Sequence, residues 1–240
     1  VTFSEDEIDR YARHLVLSEI GGPGQQRLKA ARVLIVGMGG VGGPAALYLA
    51  AAGVGHLTLV DPDTVALSNL QRQIQFATPD IDASKVEVSA RRLTALNPHV
   101  AIQTHPTPFA PGMVAGHDVV IDGTDDFAVR HAVNASCVAA GVPLVSGALG
   151  RWTGQVAVLA GRPCYRCLVP DHPTDADTCA RVGVVGALAG VIGAMTALET
   201  VKIITGAGEP LTGRLLLYDG LNATARTVTV SRDPACPVCG

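Results

Sequence analysis

Aromatic side chains are scarce in this chain of 240 residues: four Phe, four Tyr and one Trp amount to 4% of it. A core with so few rings has to be built from Ala, Val, Leu and Ile, whose small side chains favour close backbone packing. Charge is thin too, at 16% of residues, with three lysines (Lys29, Lys85, Lys202) and a net charge of −3. That excludes the basic footprint of a nucleic-acid binder, so an anionic ligand must be met by a few placed cations. The start, Val1 to Glu7, is acidic and polar and lacks the basic region of a secretory signal. The longest apolar stretch, Gly183 to Leu198, is stopped by Glu199 and Lys202 and is short for a membrane span. Its many Gly and Ala residues predict a buried helix instead. With 48% hydrophobic residues the chain can bury enough surface to fold, which excludes disorder. The expectation is a cytoplasmic protein that engages neither membrane nor nucleic acid.

Ser4-Glu5-Asp6-Glu7 has the spacing of a capping box, and Ile8, Tyr11, Ala12 and Leu15 follow at helical spacing. This predicts a helix over Glu5–Leu17, ended by the breaker Gly21-Gly22-Pro23-Gly24, and a short helix over Gln25–Lys29. Arg32–Val36 reads as a buried strand running into a glycine-rich loop. Strands then alternate with helices: helix Pro44–Ala52, strand His56–Val60, helix Lys85–Leu96, strand Ala101–Thr104, strand Asp118–Asp122, helix Asp126–Ala140, strand Pro143–Ser146. The alternation predicts a Rossmann-like, mostly parallel α/β sheet with helices on both faces, a nucleotide-binding core over residues 30–150. Over residues 151–240, strands Gln155–Ala160, Leu215–Tyr218 and Thr227–Val230 predict an antiparallel extension around the apolar helix. With no repeat and no linker, the chain reads as a single domain.

Gly37-x-Gly39-x-x-Gly42 sits between a strand and a helix, where glycines let the backbone approach phosphate and the helix N-terminus favours its charge. Asp61 follows Gly42 by 19 residues, at the end of the next strand, placed to accept ribose hydroxyls. The pattern indicates a nucleotide without separating NAD from ATP. Beyond Asp61, the segment Ser68-Asn69-Leu70-Gln71-Arg72-Gln73 carries Arg72, a planar fork for phosphate oxygens, and Asn69, a neutral hydrogen-bonding group. Lys85 opens the next helix. Each of these alone would also fit a solvated loop. After the fourth strand, Asp122-Gly123-Thr124-Asp125-Asp126 gathers three carboxylates, which suit Mg²⁺ beside phosphates or, equally, a helix cap.

The cysteines fall in three settings. Cys164-x-x-Cys167 and Cys236-x-x-Cys239, separated by 68 residues, bring four thiolates to a tetrahedral zinc site. Four protein ligands leave no open position, so the zinc is structural, and disulfides or a redox role fit less well. Cys137 reads as inert packing. Cys179, after the polar run Asp171 to Asp177 and near Arg181, suits either a nucleophile or a spectator thiol.

Taken together, these motifs resemble the ThiF/MoeB/HesA family, relatives of the ubiquitin-activating enzymes. The carriers are Tyr11-Ala12-Arg13-His14, the Gly37–Gly42 loop, Asp61-Pro62-Asp63, Ser68 to Gln73, Lys85, Thr124-Asp125-Asp126, Pro143 to Gly147 and both CxxC pairs. The resemblance implies ATP- and Mg²⁺-dependent adenylation of the C-terminal Gly-Gly carboxylate of a ubiquitin-like sulfur-carrier protein. Molybdopterin synthesis is the first pathway implied, with thiamine or specialised sulfur pathways as alternatives. By the same resemblance Asp61 takes the ribose, and Gly37, Gly39, Gly40 and Gly42 cradle the phosphates. Ser68, Asn69, Leu70, Gln71, Arg72, Lys85 and Asp126 surround the nucleotide, Asp125 holds Mg²⁺, and Cys179 is a candidate nucleophile. Arg13, otherwise a surface arginine, would reach the ATP of a second copy in a homodimer, and the sulfur donor would be an external protein. Asp126 stands where the family usually has Asn, and Ala187 and Thr196 replace residues that are often Pro and Gln. Two other readings compete with this one. An NAD-dependent oxidoreductase leaves Arg72, Lys85 and Asp125 without a task, and a non-enzymatic scaffold would hold a carrier without turning over ATP.

Overall fold

Alternate residues of the central strand face two different cores. In β1 (Arg32–Val36), Val33 and Ile35 point to one side of the sheet, Leu34 and Val36 to the other, and all four are buried. A strand buried on both faces needs cover on both. The computed structural model, which describes residues 2–170 and 183–240, supplies it. On one face Val33 and Ile35 pack with α3 (Gly21–Ala30), α4 (Gly42–Ala52), α5 (Lys85–Leu96) and α8 (Gly186–Thr205). On the other, Leu34 and Val36 pack with α6 (Phe127–Ala140) and with Tyr165 of α7 (Tyr165–Leu168).

The remaining strands are β2 (His56–Val60), β3 (Ala101–His105), β4 (Val119–Asp122), β5 (Leu144–Leu149), β6 (Thr153–Leu159), β7 (Arg214–Asp219) and β8 (Thr224–Thr229). They form one eight-stranded sheet in the order β3-β2-β1-β4-β5-β6-β7-β8. The first five strands in that order pair in parallel, and β5 to β8 are joined by antiparallel pairings. The expected mostly parallel sheet with an antiparallel extension is therefore present. The chain leaves β1 towards β2 and β3, then returns to lay β4 on the other side of β1. The loops after β1 and β4 diverge at that switch point and open a crevice at the carboxyl ends of the strands.

Helix α8 is long and apolar enough to cross a membrane by length and composition. It packs here against β5, β6, α3 and α4, with Ala189 and Ile192 wholly buried, as its small residues predict.

Several boundaries differ from expectation for local reasons. The first helix is broken into α1 (Glu5–Arg10) and α2 (Ala12–Leu15) because Tyr11 turns inward. Its hydroxyl accepts a 2.8 Å hydrogen bond from the Asn97 amide, and its ring lies against Gly53. Gly21-Gly22-Pro23 opens α3 instead of ending α1, since proline's missing N–H costs nothing in a first turn. Gly42 likewise begins α4, two residues before Pro44. Strand β8 starts at Thr224, three residues earlier than predicted, and is exposed along its length, so it has no apolar alternation to betray its start.

At Gly42 a side chain has no room: a Cβ there would run into the carbonyl oxygen of Gly37 and sit 3.2 Å from Ile35. Gly42→Ala is expected to cost on the order of 1–3 kcal/mol of stability by overpacking, read by denaturant unfolding. Gly22→Ala, with nothing within 4 Å of its new methyl, should lose none.

Candidate active site

The crevice at the switch point is a cavity of about 850 Å³. Its floor is the glycine loop after β1, from which Gly37, Gly39 and Gly40 line the space. Gly37 has φ +89°, which favours glycine, and a Cβ there would stand 3.0 Å from the backbone of Gly123 and Thr124. The loops after β1 and β4 thus touch at their bases. Gly42 does not line the cavity: it is the first residue of α4 and serves to close the loop upon itself.

Five carboxylates stand near the carboxyl edge of β2 and β4, and four of them have partners. Asp61 is buried and accepts backbone N–H bonds from Met38 (2.7 Å) and Asp63 (2.9 Å). Burial pushes its carboxyl above the ordinary Asp range, against the pull of Lys85 and of those two donors. Asp63 pairs with the buried Lys85 ammonium at 2.8 Å. Asp122, fully buried, accepts from the Thr124 backbone N–H (3.1 Å) and hydroxyl (2.8 Å) and from the Ser146 hydroxyl (3.1 Å). It also faces the Arg130 guanidinium at 3.3 Å. Asp126 is the N-cap of α6, accepting from the Val129 N–H at 3.0 Å. Asn is an equally good cap, which explains how the two residue types can replace one another here. Asp125 is exposed at the cavity and, among the described residues, makes no hydrogen bond or ion pair.

Polar groups of both kinds reach the same space. Arg72, Lys85, Asn69 and Gln73 line it. Arg72 is braced by a 2.9 Å bond to the Ser68 carbonyl, and the Asn69 carbonyl oxygen accepts from the Ala66 N–H, leaving its amide N–H groups uncommitted. Gln73 is 4% exposed and its Oε1 has no protein partner. A buried acceptor of this kind, beside a glycine loop and two cations, fits a ligand rich in phosphate and hydroxyl groups.

Three residues of the Ser68–Gln73 segment stand elsewhere. Ser68 is exposed, Leu70 packs with Val65 and Phe76, and Gln71 bonds the Val184 carbonyl at 3.4 Å. The segment begins as a 3₁₀ turn over Leu67–Asn69, so Asn69 and Arg72 share a face while the residues between them turn away. Arg13 is exposed and does not line its own chain's cavity. Cys179 and Arg181 lie outside the described residues. Thr196 is buried and donates to the Ile192 carbonyl within α8; nothing in the structure explains Ala187.

Sequence reasoning missed Arg130. It occupies a core position of α6, on the buried stripe Arg130, Val133, Asn134, Cys137. That spacing was visible in the sequence, and a charged residue on it signals a buried partner.

The four cysteines of the two CxxC pairs meet, with their sulfurs all within 4.8 Å of one another. The Cys164–Cys236 and Cys167–Cys239 separations are 3.7 and 3.5 Å. A tetrahedron of Zn–S bonds of about 2.3 Å has edges near these lengths, so the cluster fits zinc.

The carboxylates Asp125 and Asp126 are separable by stability. Asp126→Ala should cost about 1 kcal/mol through loss of the cap, with Asp126→Asn restoring it. Asp125→Ala should leave the unfolding curve in place.

The ThiF family matches residues 11–238. The chain is 45% identical to the molybdopterin-synthase adenylyltransferase of Escherichia coli over 99% of its length and 98% of that protein. It is 47% identical to the sulfur carrier protein ThiS adenylyltransferase of the same organism, over 96% and 94%. It is 44% identical to a sulfur carrier protein adenylyltransferase of Thermus thermophilus, over 99% and 93%. A solved structure of E. coli MccB shares the fold, with a TM-score of 0.87 at 23% identity, over 100% of this chain and 76% of that one. The nucleotide that the glycine fingerprint left open is thereby implied to be ATP, for the chain belongs to the ThiF family.

Proposed function

We infer that the chain adenylates the C-terminal carboxylate of a sulfur-carrier protein, of the ubiquitin-like kind ending in Gly-Gly, and releases pyrophosphate. The observation that carries this reading is the charge pattern of the crevice: three cations, Arg72, Lys85 and Arg130, and one carboxylate unpaired among the described residues, Asp125, beside a glycine loop. A carboxylate is already a nucleophile and needs no general base. Its oxygen attacks the α-phosphorus of ATP, and the bond from that phosphorus to the bridging oxygen of the β-phosphate breaks. The barrier lies in bringing negative charge onto negative charge, so positioning and neutralisation are the main devices.

The residues divide accordingly. Asp61, held by two N–H groups, accepts from the ribose hydroxyls. Gly39 and Gly40 let the phosphates approach the backbone. Arg72, Lys85 and Asn69 hold the triphosphate, Lys85 exchanging Asp63 for a phosphate oxygen. Asp125 would hold Mg²⁺, which supplies countercharge to the departing pyrophosphate. Asp126, committed to its cap, contributes field more than ligation. A second copy brings its Arg13 to this cavity in a homodimer, consistent with that side chain's exposure away from its own site. Zinc in the four-cysteine cluster is structural and ties the C-terminus to α7. The reaction belongs to the cytoplasm, with sulfur delivered by a separate donor. Molybdopterin synthesis is the first pathway proposed and thiamine synthesis the second, since relatives of both kinds match end to end.

ATP–pyrophosphate exchange with a panel of Gly-Gly-ended carriers, each beside a version lacking the last glycine, tests the reading. Exchange should require the intact tail, and the responding carrier names the pathway. Asp125→Ala should lower the rate on the order of 10²-fold or more while keeping fold and metal content. Exchange that ignores the tail, or persists in Asp125→Ala, would refute the assignment.

A further inference from the structure

The Arg130 guanidinium is 5% exposed and lies beneath the crevice. One nitrogen, Nη2, donates to the carbonyl oxygens of Thr124 and, at 3.0 Å, Gly147. The other, Nη1, donates to the Ser146 hydroxyl at 3.2 Å and faces Asp122 at 3.3 Å. The Tyr165 ring lies 6.0 Å from the guanidinium carbon. As a device for stability alone this is a poor choice, because desolvating an ion pair costs about as much as the pair returns, and an apolar side chain would fill the stripe. What the arrangement accomplishes is geometric. Thr124 belongs to the loop after β4 and Gly147 to β5; one prong of the planar fork bonds both, while the other holds Ser146 and Asp122. Asp122 holds Thr124 from its other side through the N–H and the hydroxyl. Thr124 in turn abuts the base of the glycine loop at Gly37. The next residue is Asp125, exposed and otherwise unpartnered.

We propose that Arg130 is the positioning residue of this site. Its buried fork fixes the Thr124–Asp125 loop against β5 and the glycine loop, so that metal-bound nucleotide meets a carboxylate already in place. The inference rests on the adenylation reading for the chemistry, but the clamp itself is readable from nucleotide binding alone. A lysine at this position keeps the charge but offers one nitrogen in place of two, so it cannot bond the two carbonyls and at the same time hold Ser146 and Asp122.

The test compares wild type with Arg130→Lys, checked for folding by thermal melting, in ATP binding with Mg²⁺ and with EDTA. Arg130→Lys should weaken Mg²⁺-dependent binding, and raise the Mg²⁺ needed for half-maximal exchange, by about tenfold, with metal-free ATP binding unchanged. A purely structural arginine would shift both binding modes together or neither, and either result overturns the proposal. Should Arg130→Lys fail to fold, Ser146→Ala carries the test, since it removes one acceptor of the fork and leaves the pair with Asp122. Its Mg²⁺ requirement should rise by about threefold; a wild-type requirement in folded Ser146→Ala overturns the proposal equally. Wild-type protein that binds Mg²⁺ and ATP yet exchanges nothing with any carrier would remove the adenylation reading and leave the binding comparison to decide on Arg130.

Discussion

Like charges have to be brought together at the carboxyl edge of this sheet, and the structure is organised around that constraint. A triphosphate and a substrate carboxylate would enter a crevice lined by Asp61, Asp63, Asp125 and Asp126, with Asp122 buried behind its wall. Left unpaired, five carboxylates would repel both. Backbone N–H groups neutralise part of the field at Asp61, Lys85 answers Asp63, Arg130 answers Asp122 and the first turn of α6 absorbs Asp126. What remains is a single free carboxylate among those described, placed where one cation with phosphate ligands would use it.

The supports of the site extend well beyond its lining. Cys164 is the N-cap of α7 and Cys167 lies within it, and between them stands Tyr165, whose N–H bonds Asn134 of α6 at 2.7 Å. Its ring packs beside Arg130, and Arg130 grips the loops after β4 and in β5. A metal in the four-cysteine cluster would therefore steady α7 and, through it, the wall of the crevice. The N-terminal segment is anchored independently, by Tyr11 on Asn97 and by the Glu7–Lys29 pair at 2.7 Å. Those anchors leave Arg13 facing outwards.

Much of this was legible in the sequence, where local pattern and tertiary role coincide. The strand–glycine–helix succession and Asp61 at the end of the next strand are local signals, and the sheet places them as expected. The paired CxxC motifs carry their own geometry. What escaped depends on how residues face one another. Ser68, Leu70 and Gln71 share a run with Asn69 and Arg72, and only the 3₁₀ turn separates inward from outward positions. Asp125 and Asp126 are chemically identical neighbours, told apart by where α6 begins. Arg130 needed two periodicities read together: the strand alternation that sends Asp122 to the α6 face, and the helical stripe that returns Arg130 to it. Tyr11 broke a helix that its spacing predicted, because the tertiary anchor to Asn97 outweighed local propensity.

The chemistry proposed for this crevice is attack of the carrier's carboxylate on the α-phosphorus of ATP. It is tested most directly by incubating the chain and an intact carrier with ATP labelled at either the α- or the γ-phosphate and following the label by intact-protein mass and autoradiography. The carrier should gain one AMP, labelled from the α position alone, with γ label leaving as pyrophosphate. Carrier labelled from the γ position, or ATP consumed with no nucleotide on the carrier, would contradict it.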